Sequence, residues 1–241
     1  MPRYFIEVSY KGTNYSGFQV QQNANSIQAE VEKALQVFFR QKFELTGSSR
    51  TDAGVHAWQN FFHFDAATGI NDEVYNLNAI LPLDIVIKSI KEVKPDAHCR
   101  FDAVAREYRY YIYQHKQPFI QDRAYYYPYS LDMDLLQEVA KEIMQHTDFT
   151  SFSKRNTQVK SFLCSICESE WLTEADCLVY RIRANRFLRG MVKGLVGTML
   201  QAGRGKLALD EFKAVIRGKD CTKADFSVPS HALFLCKVEY S

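Results

Sequence analysis

The chain has 241 residues, 46% hydrophobic and 14% aromatic, which is enough for one large core or two domains of moderate size. Lys and Arg number 30 against 28 Asp and Glu, a formal charge of +2, so bulk charge does not point to an acidic partner, although basic residues can still gather on one face. No run of about eighteen uncharged apolar residues occurs, which argues against a membrane span, and the alternating N-terminal MPRYFIEVSYKG does not read as a secretory leader.

In chain order, Tyr4, Ile6, Val8 and Tyr10 alternate with Phe5, Glu7 and Ser9, so residues 3–11 read as a strand. A loop rich in Gly, Asn and Gln follows over 12–25. Asn25 with Gln28 resembles a capping box, and Ile27, Val31, Ala34, Leu35 and Phe38 place one apolar stripe on a helix ending near Arg40. Residues 43–47 and 56–65 read as two strands around the connection GSSRTDAGVH. A short helix is expected at 71–81, stopped by Pro82, then strands at 85–93 and 106–113. A long aromatic connection over 114–130 leads to a helix at 132–146, whose apolar face is Leu135, Leu136, Val139, Ala140 and Ile143. The polar basic loop FTSFSKRNTQVKS precedes strands near 162–171 and 177–184. Helices at 187–201 and 209–216 and a closing strand at 232–240 complete the chain.

The order β-α-β-β therefore occurs twice. An α+β fold is expected, a pseudo-twofold pair of ferredoxin-like β-α-β-β units with mainly antiparallel sheets joined about a central cleft. The division falls near residue 105. Domain 1–105 would hold the Arg-Thr-Asp connection, and domain 106–241 a tyrosine strand and a basic helix.

Three groups could carry chemistry. Asp52 sits in a tight connection, where an Asp can simply accept backbone N–H bonds and fix the turn. It could equally be a nucleophile or base beside Arg50, whose guanidinium would lower the carboxylate's pKa and could bind phosphate or carbonyl. On the next strand Arg106, Tyr108 and Tyr110 share one face, an aromatic beside arginine that could stack on a base or merely pack in a tyrosine-rich protein. In ANRFLRGMVKGLVGTML, Arg186, Arg189 and Lys193 lie three and four apart on one helix face, opposite a stripe formed by Leu188, Met191, Val192, Leu195, Val196 and Met199. Gly190, Gly194 and Gly197 in that helix suggest close approach by another backbone or a ligand.

Other motifs fail. GRGK at 203–206 lacks the glycine spacing and the Ser/Thr of a phosphate-binding P-loop. Cys164 and Cys167 would point to opposite faces of a strand, and the six histidines show no zinc spacing; His63 reads as an ordinary strand residue. Six cysteines are few for a disulfide framework, so a reducing compartment is expected.

Together these segments resemble the tRNA pseudouridine synthase A family. The match comprises YKGTNYSGFQVQQNANSIQAEVEKAL, SRTDAGVHA, REYRYYIY, FTSF, NRFLRGMVKGLVGTML and VPSHALFLCKVEY, in order over essentially the whole chain. The resemblance implies an enzyme that isomerises uridine to pseudouridine at positions 38, 39 and 40 of the tRNA anticodon arm. It also implies a cytoplasmic homodimer that binds the anticodon stem-loop and needs no metal or organic cofactor. Asp52 matches the catalytic aspartate, Arg50 the arginine that helps hold the flipped nucleotide, and Tyr108 the tyrosine that packs on the target uracil. Leu233 resembles the pocket-lining leucine, and Arg106, Arg186 and Arg189 would contact substrate. Lys193 stands where the family usually has the arginine paired with the carboxylate, which keeps the charge but loses the bidentate fork, and Arg189 could compensate. Ser49 and Ala232 stand where glycine is common. Two other readings use the same residues: a noncatalytic structured-RNA-binding protein would not need Asp52, and a synthase acting on another RNA would keep it.

Overall fold

The computed structural model describes residues 1–67, 69–70, 73–155 and 159–241. Its elements are β1 (Arg3–Tyr10), α1 (Ile27–Phe39), β2 (Thr46–Gly47), β3 (His56–Asp65), α2 (Val74–Ile80), β4 (Ile85–Val93), β5 (Ala103–Tyr113), β6 (Tyr125–Tyr126), α3 (Met133–Ile143), β7 (Ile166–Glu174), β8 (Cys177–Ala184), α4 (Met191–Gly203), α5 (Leu209–Arg217) and β9 (Leu233–Tyr240). The fold is α+β. Among the described residues no helix is long and apolar enough to cross a membrane. The expected start of α2 at Asn71 and part of the basic loop (156–158) lie outside the described residues.

The chain forms two compact units, one of Met1–Val104 with Phe234–Ser241 and the other of Ala105–Leu233. The first thus takes in the end of the chain, whereas the expected division was a single cut at 105. The reason is local. β9 pairs in parallel with β3, His56 opposite Phe234, and Val238 N–H donates to Gln59 Oε1 at 3.0 Å. Tyr240 packs its ring 5.4 Å from Phe5 and 5.2 Å from Phe61, and its hydroxyl donates to the Cys99 carbonyl at 2.7 Å.

In the first unit β1 lies between β3 and β4, antiparallel to both, and β2 adds a short antiparallel pair to β3. Period-two alternation buries Tyr4, Ile6, Val8 and Tyr10 on one face of β1, with Phe62 and Phe64 from β3 and Ile87 from β4. The α1 stripe of Ile27, Val31, Ala34 and Leu35 is buried, as its spacing requires.

The helix cap differs from the expectation: Ser26, not Asn25, accepts the Ala29 N–H at 3.2 Å, and Gln28 does other work. Its amide donates to the Leu45 carbonyl at 2.9 Å, while Leu45 N–H donates to Glu32 Oε1 at 3.1 Å. Side chains of α1 thereby take the backbone groups of residue 45. This is why the strand expected over 43–47 is reduced to Thr46–Gly47.

In the second unit β5, β8 and β7 form an antiparallel sheet, and β6 pairs in parallel with the end of β5 inside the connection read as a plain loop. The strand expected from 162 starts at Ile166, because residues 162–164 bond back to the preceding loop: Phe149 N–H to Phe162 O and Cys164 N–H to Thr147 O. Helix α4 begins at Met191 rather than 187, because Gly190 sits at φ +74° and serves as its N-cap. Arg186 and Arg189 consequently precede the helix, and the expected basic face of Arg186, Arg189 and Lys193 does not form. Helix α4 is instead buried almost all round, including Leu195, Val196, Met199 and Leu200. A Cβ added at Gly197 would lie 2.2 Å from the Asp225 carbonyl oxygen and one at Gly194 would lie 2.7 Å from the Phe226 ring, so the glycines admit the 225–226 segment.

Candidate active site

The eight residues between β2 and β3, 48–55, answer why charged groups occupy so tight a connection. Ser49 and Thr51 point inward and are buried, while Arg50 is exposed and Asp52 partly so. Inward residues are tethered at nearly every step. Ser48 N–H donates to Phe61 O at 2.8 Å, and Asn60 Nδ2 donates to the Ser49 carbonyl at 2.8 Å. Asn60 Nδ2 also donates to Tyr10 Oη at 3.1 Å, and Tyr10 Oη lies 2.8 Å from Thr51 Oγ1. Burial raises the Tyr10 pKa well above its usual value, so the phenol keeps its proton and remains a donor at neutral pH.

The loop is also held from outside the hairpin. Thr51 O accepts from Phe18 N–H at 3.1 Å, and Val55 N–H closes a turn onto Asp52 O at 3.1 Å. His56 Nδ1 accepts from Gly12 N–H at 2.9 Å. Gly12 must be glycine, since a Cβ there would fall 2.0 Å from Val55 O. Each of these bonds contributes about 1 kcal/mol net, and together they confine the backbone that carries Arg50 and Asp52.

The second unit positions its own candidates. Antiparallel register places Arg106 opposite Ala184, Tyr108 opposite Ile182 and Tyr110 opposite Tyr180. Arg106 is buried and its guanidinium donates to the Asn185 carbonyl at 3.0 Å. Tyr108 is half-buried, its ring edge-on to Phe187 at 4.9 Å and 80°. Tyr110 is locked by a 2.8 Å bond from its hydroxyl to Pro229 O. The opposite face of β5 is structural: Arg109 pairs with Glu107 and Glu174, each at 2.8 Å. Lys193 Nζ donates to Ser230 Oγ at 3.2 Å, and Leu233 is buried. Arg189 is exposed, with its carbonyl tied to Lys154 N–H at 3.0 Å, and Arg186 is half-buried.

Sequence reading singled out Arg50 and Asp52 but missed Tyr10, Thr51, Asn60 and His56, which hold them. Their only signal was polar atoms at inward strand positions. It also gave His63 no partners, yet the fold gathers His63, His98 and Cys99 with potential ligand atoms within 4.8 Å of one another. Their donor chemistry does not fit a metal as arranged. His98 Nδ1 accepts from Arg100 N–H at 3.1 Å, which leaves its proton on Nε2, and Cys99 Sγ donates to Thr46 O at 3.1 Å. His63 Nδ1 accepts from Cys99 N–H at 3.4 Å and lies 3.1 Å from Cys99 Sγ. Burial, followed by the charge of His98, pushes the His63 pKa down to about 4. The cluster is a hydrogen-bonded part of the core. All six cysteines are free thiols, with Cys164 buried and Cys167 exposed.

Comparison with known proteins covers both halves. The family profile described as tRNA pseudouridine synthase matches residues 6–102 and 140–241. The chain is similar to "tRNA pseudouridine synthase A" of Parabacteroides distasonis, 46% identical over 100% of this chain and 96% of that protein. The protein of the same name from Bacteroides thetaiotaomicron is 46% identical over 100% of this chain and 91% of its own length. That of Bacillus subtilis is 40% identical, with 97% of each chain covered.

Proposed function

The chain belongs to the tRNA pseudouridine synthase A family, and from that premise we propose that it converts uridines 38, 39 and 40 of the tRNA anticodon arm, with Asp52 as the catalytic carboxylate. It is an RNA pseudouridine synthase acting on tRNA. The observation that carries the assignment of Asp52 is its setting: a half-buried carboxylate on a loop whose neighbouring Thr51 hydroxyl and Ser49 carbonyl are held by Tyr10 and Asn60.

The reaction is an isomerisation, so every atom of substrate appears in product. The N1–C1′ bond breaks, the detached uracil turns, a C5–C1′ bond forms, and N1 gains a proton as C5 loses one. Asp52 serves this either by attacking C1′ or by assisting loss of the 2′ proton. Tyr108, edge-packed on Phe187, supplies a rigid wall for an extruded base and assists proton removal at C5. Arg50 holds the flipped nucleotide, and Lys193, seated on Ser230, supplies the positive charge for the carboxylate, with Arg189 as the second candidate. Arg106, Arg186 and Leu233 complete the substrate contacts, Leu233 as an apolar pocket wall. The chemistry calls for no metal or organic cofactor.

The repeated β-α-β-β order supports reading the units as two copies of one ferredoxin-like plan, a pseudo-twofold pair. Family membership supports a cytoplasmic homodimer bound to the anticodon stem-loop.

The test is pseudouridine formation at each anticodon-arm uridine of unmodified tRNA by wild type and Asp52→Ala, with binding measured for both. Wild type should modify positions 38–40. Asp52→Ala should lose at least about a thousandfold in kcat while still binding, as expected for loss of a covalent or general-base group. A fully active Asp52→Ala enzyme would sink the role given to Asp52. Binding by wild type without modification would favour a noncatalytic RNA-binding protein.

A further inference from the structure

A cavity of about 190 Å³ opens beside Arg50 within the first unit. Its floor is formed by Phe18, Thr46 and Gly47, with His98, Arg100 and Phe101 opposite. Phe18 is fixed by stacking on Phe62 at 4.4 Å and 9°, and Gly47 has no room for a side chain, since a Cβ would fall 2.3 Å from the Phe18 ring. The other wall is rigid too. His98 Nδ1 accepts from the backbone N–H groups of Arg100 and Phe101, and the backbone N–H of His98 donates to Asp102 Oδ2 at 2.7 Å, which closes the 98–102 turn.

This rigid turn presents an aromatic side chain to solvent. Phe101 is 73% exposed, with the His98 ring 4.2 Å from it and the Arg100 guanidinium 5.6 Å from its centroid. Trp58 and Tyr75 are also exposed in this unit, but Phe101 lines a cavity together with two arginines, Arg50 and Arg100. No carboxylate lines the cavity among the described residues. Arginine beside an aromatic face is the combination that holds a single-stranded nucleotide: the ring stacks on any base and the guanidinium takes the phosphate.

We propose that this cavity is a subsite for one unstacked nucleotide adjacent to the reacting uridine, its base on Phe101 and its phosphate between Arg50 and Arg100. The proposal rests on the tRNA reading above and adds a second nucleotide to it. Arg50 is two residues from Asp52, at most about 7 Å between Cα atoms, so the occupant is a near neighbour of the target in the RNA chain. Holding that neighbour unstacked weakens the stack the target must leave, and it fixes the backbone on one side of the flipped nucleotide.

The experiment uses the full chain and an anticodon stem-loop RNA, with an abasic residue placed in turn at each position flanking the target. Phe101→Ala should raise KM about tenfold, and Phe101→Trp should restore it, because stacking and not the identity of the ring is required. One abasic position should raise KM by the same factor in wild type and have no further effect in Phe101→Ala. Arg100→Gln should lower the salt slope of binding by about one. An unchanged KM in Phe101→Ala, or abasic effects that simply multiply with it at every position, would overturn the subsite. A change in oligomeric state on Phe101→Ala would also overturn it, by showing that a second copy of the chain covers this surface. Failure of the wild type to form any pseudouridine would refute the activity instead, and dissociation constants for the same RNAs and variants would still decide the subsite.

Discussion

Asn60 shows how a single inward residue governs the reactive loop. Its amide makes bonds to Tyr10 Oη and Ser49 O, and its Oδ1 accepts from Phe61 N–H at 2.9 Å, all with the residue fully buried. The neighbouring Ser49 Oγ is buried with no hydrogen-bond partner among the described residues. These two polar groups should respond oppositely to truncation. Asn60→Ala leaves Tyr10 and the Ser49 carbonyl unsatisfied and should lower stability by about 2–3 kcal/mol, whereas Ser49→Ala removes a desolvated hydroxyl and should raise it by about 1 kcal/mol. Denaturant unfolding of both variants checks this, and a destabilised Ser49→Ala would refute it. The pair also marks a limit of sequence reading at this scale. Arg50 and Asp52 announce themselves because charged side chains are uncommon in so short a connection. Asn60 does not, since an inward polar residue says nothing of which distant atoms it meets.

At the scale of elements, period-two and 3.6-residue patterns suffice where a segment buries one face. Thus β1, β3, β4, β5, α1 and α3 were legible, because Tyr4 to Tyr10 or Leu136 to Ile143 repeat at the period of their own backbone. Legibility ends where a neighbour takes the backbone's hydrogen bonds, as α1 does at Leu45, or where one dihedral decides, as at Gly190. Helix α4 combines both problems, since burial on every side erases the stripe that would show its orientation. Its glycines carry the information instead. Gly197→Ala should cost about 2 kcal/mol or more, because the added methyl meets a backbone carbonyl that cannot move alone, and Gly194→Ala should cost less, because the Phe226 ring can shift. Thermal unfolding of the two variants should rank them in that order; the reverse ranking would refute the packing argument.

At the scale of the whole molecule, stability should depend on pH through His63. Its pKa falls from 6.5 unfolded to about 4 folded, so between these values the unfolded chain binds more protons. The contribution is therefore complete above pH 6.5 and is lost as pH falls toward 4, at most about 3 kcal/mol. Urea unfolding from pH 7.5 to 4.5 should show this loss, and His63→Gln should flatten it; an equal slope in the variant would place the effect elsewhere. Chain connectivity at this scale was the least visible from sequence, for nothing in VPSHALFLCKVEY says that it returns to β3. That return has a consequence for biosynthesis. Gln59 and Val238, bonded in the finished protein, are 179 residues apart. A nascent chain therefore emerges from the ribosome with the loop-proximal edge of β3 bare, and it stays so through translation of the entire second unit. The strand that anchors the reactive loop is therefore completed only when residues 234–240 are delivered, after the whole second unit has been made.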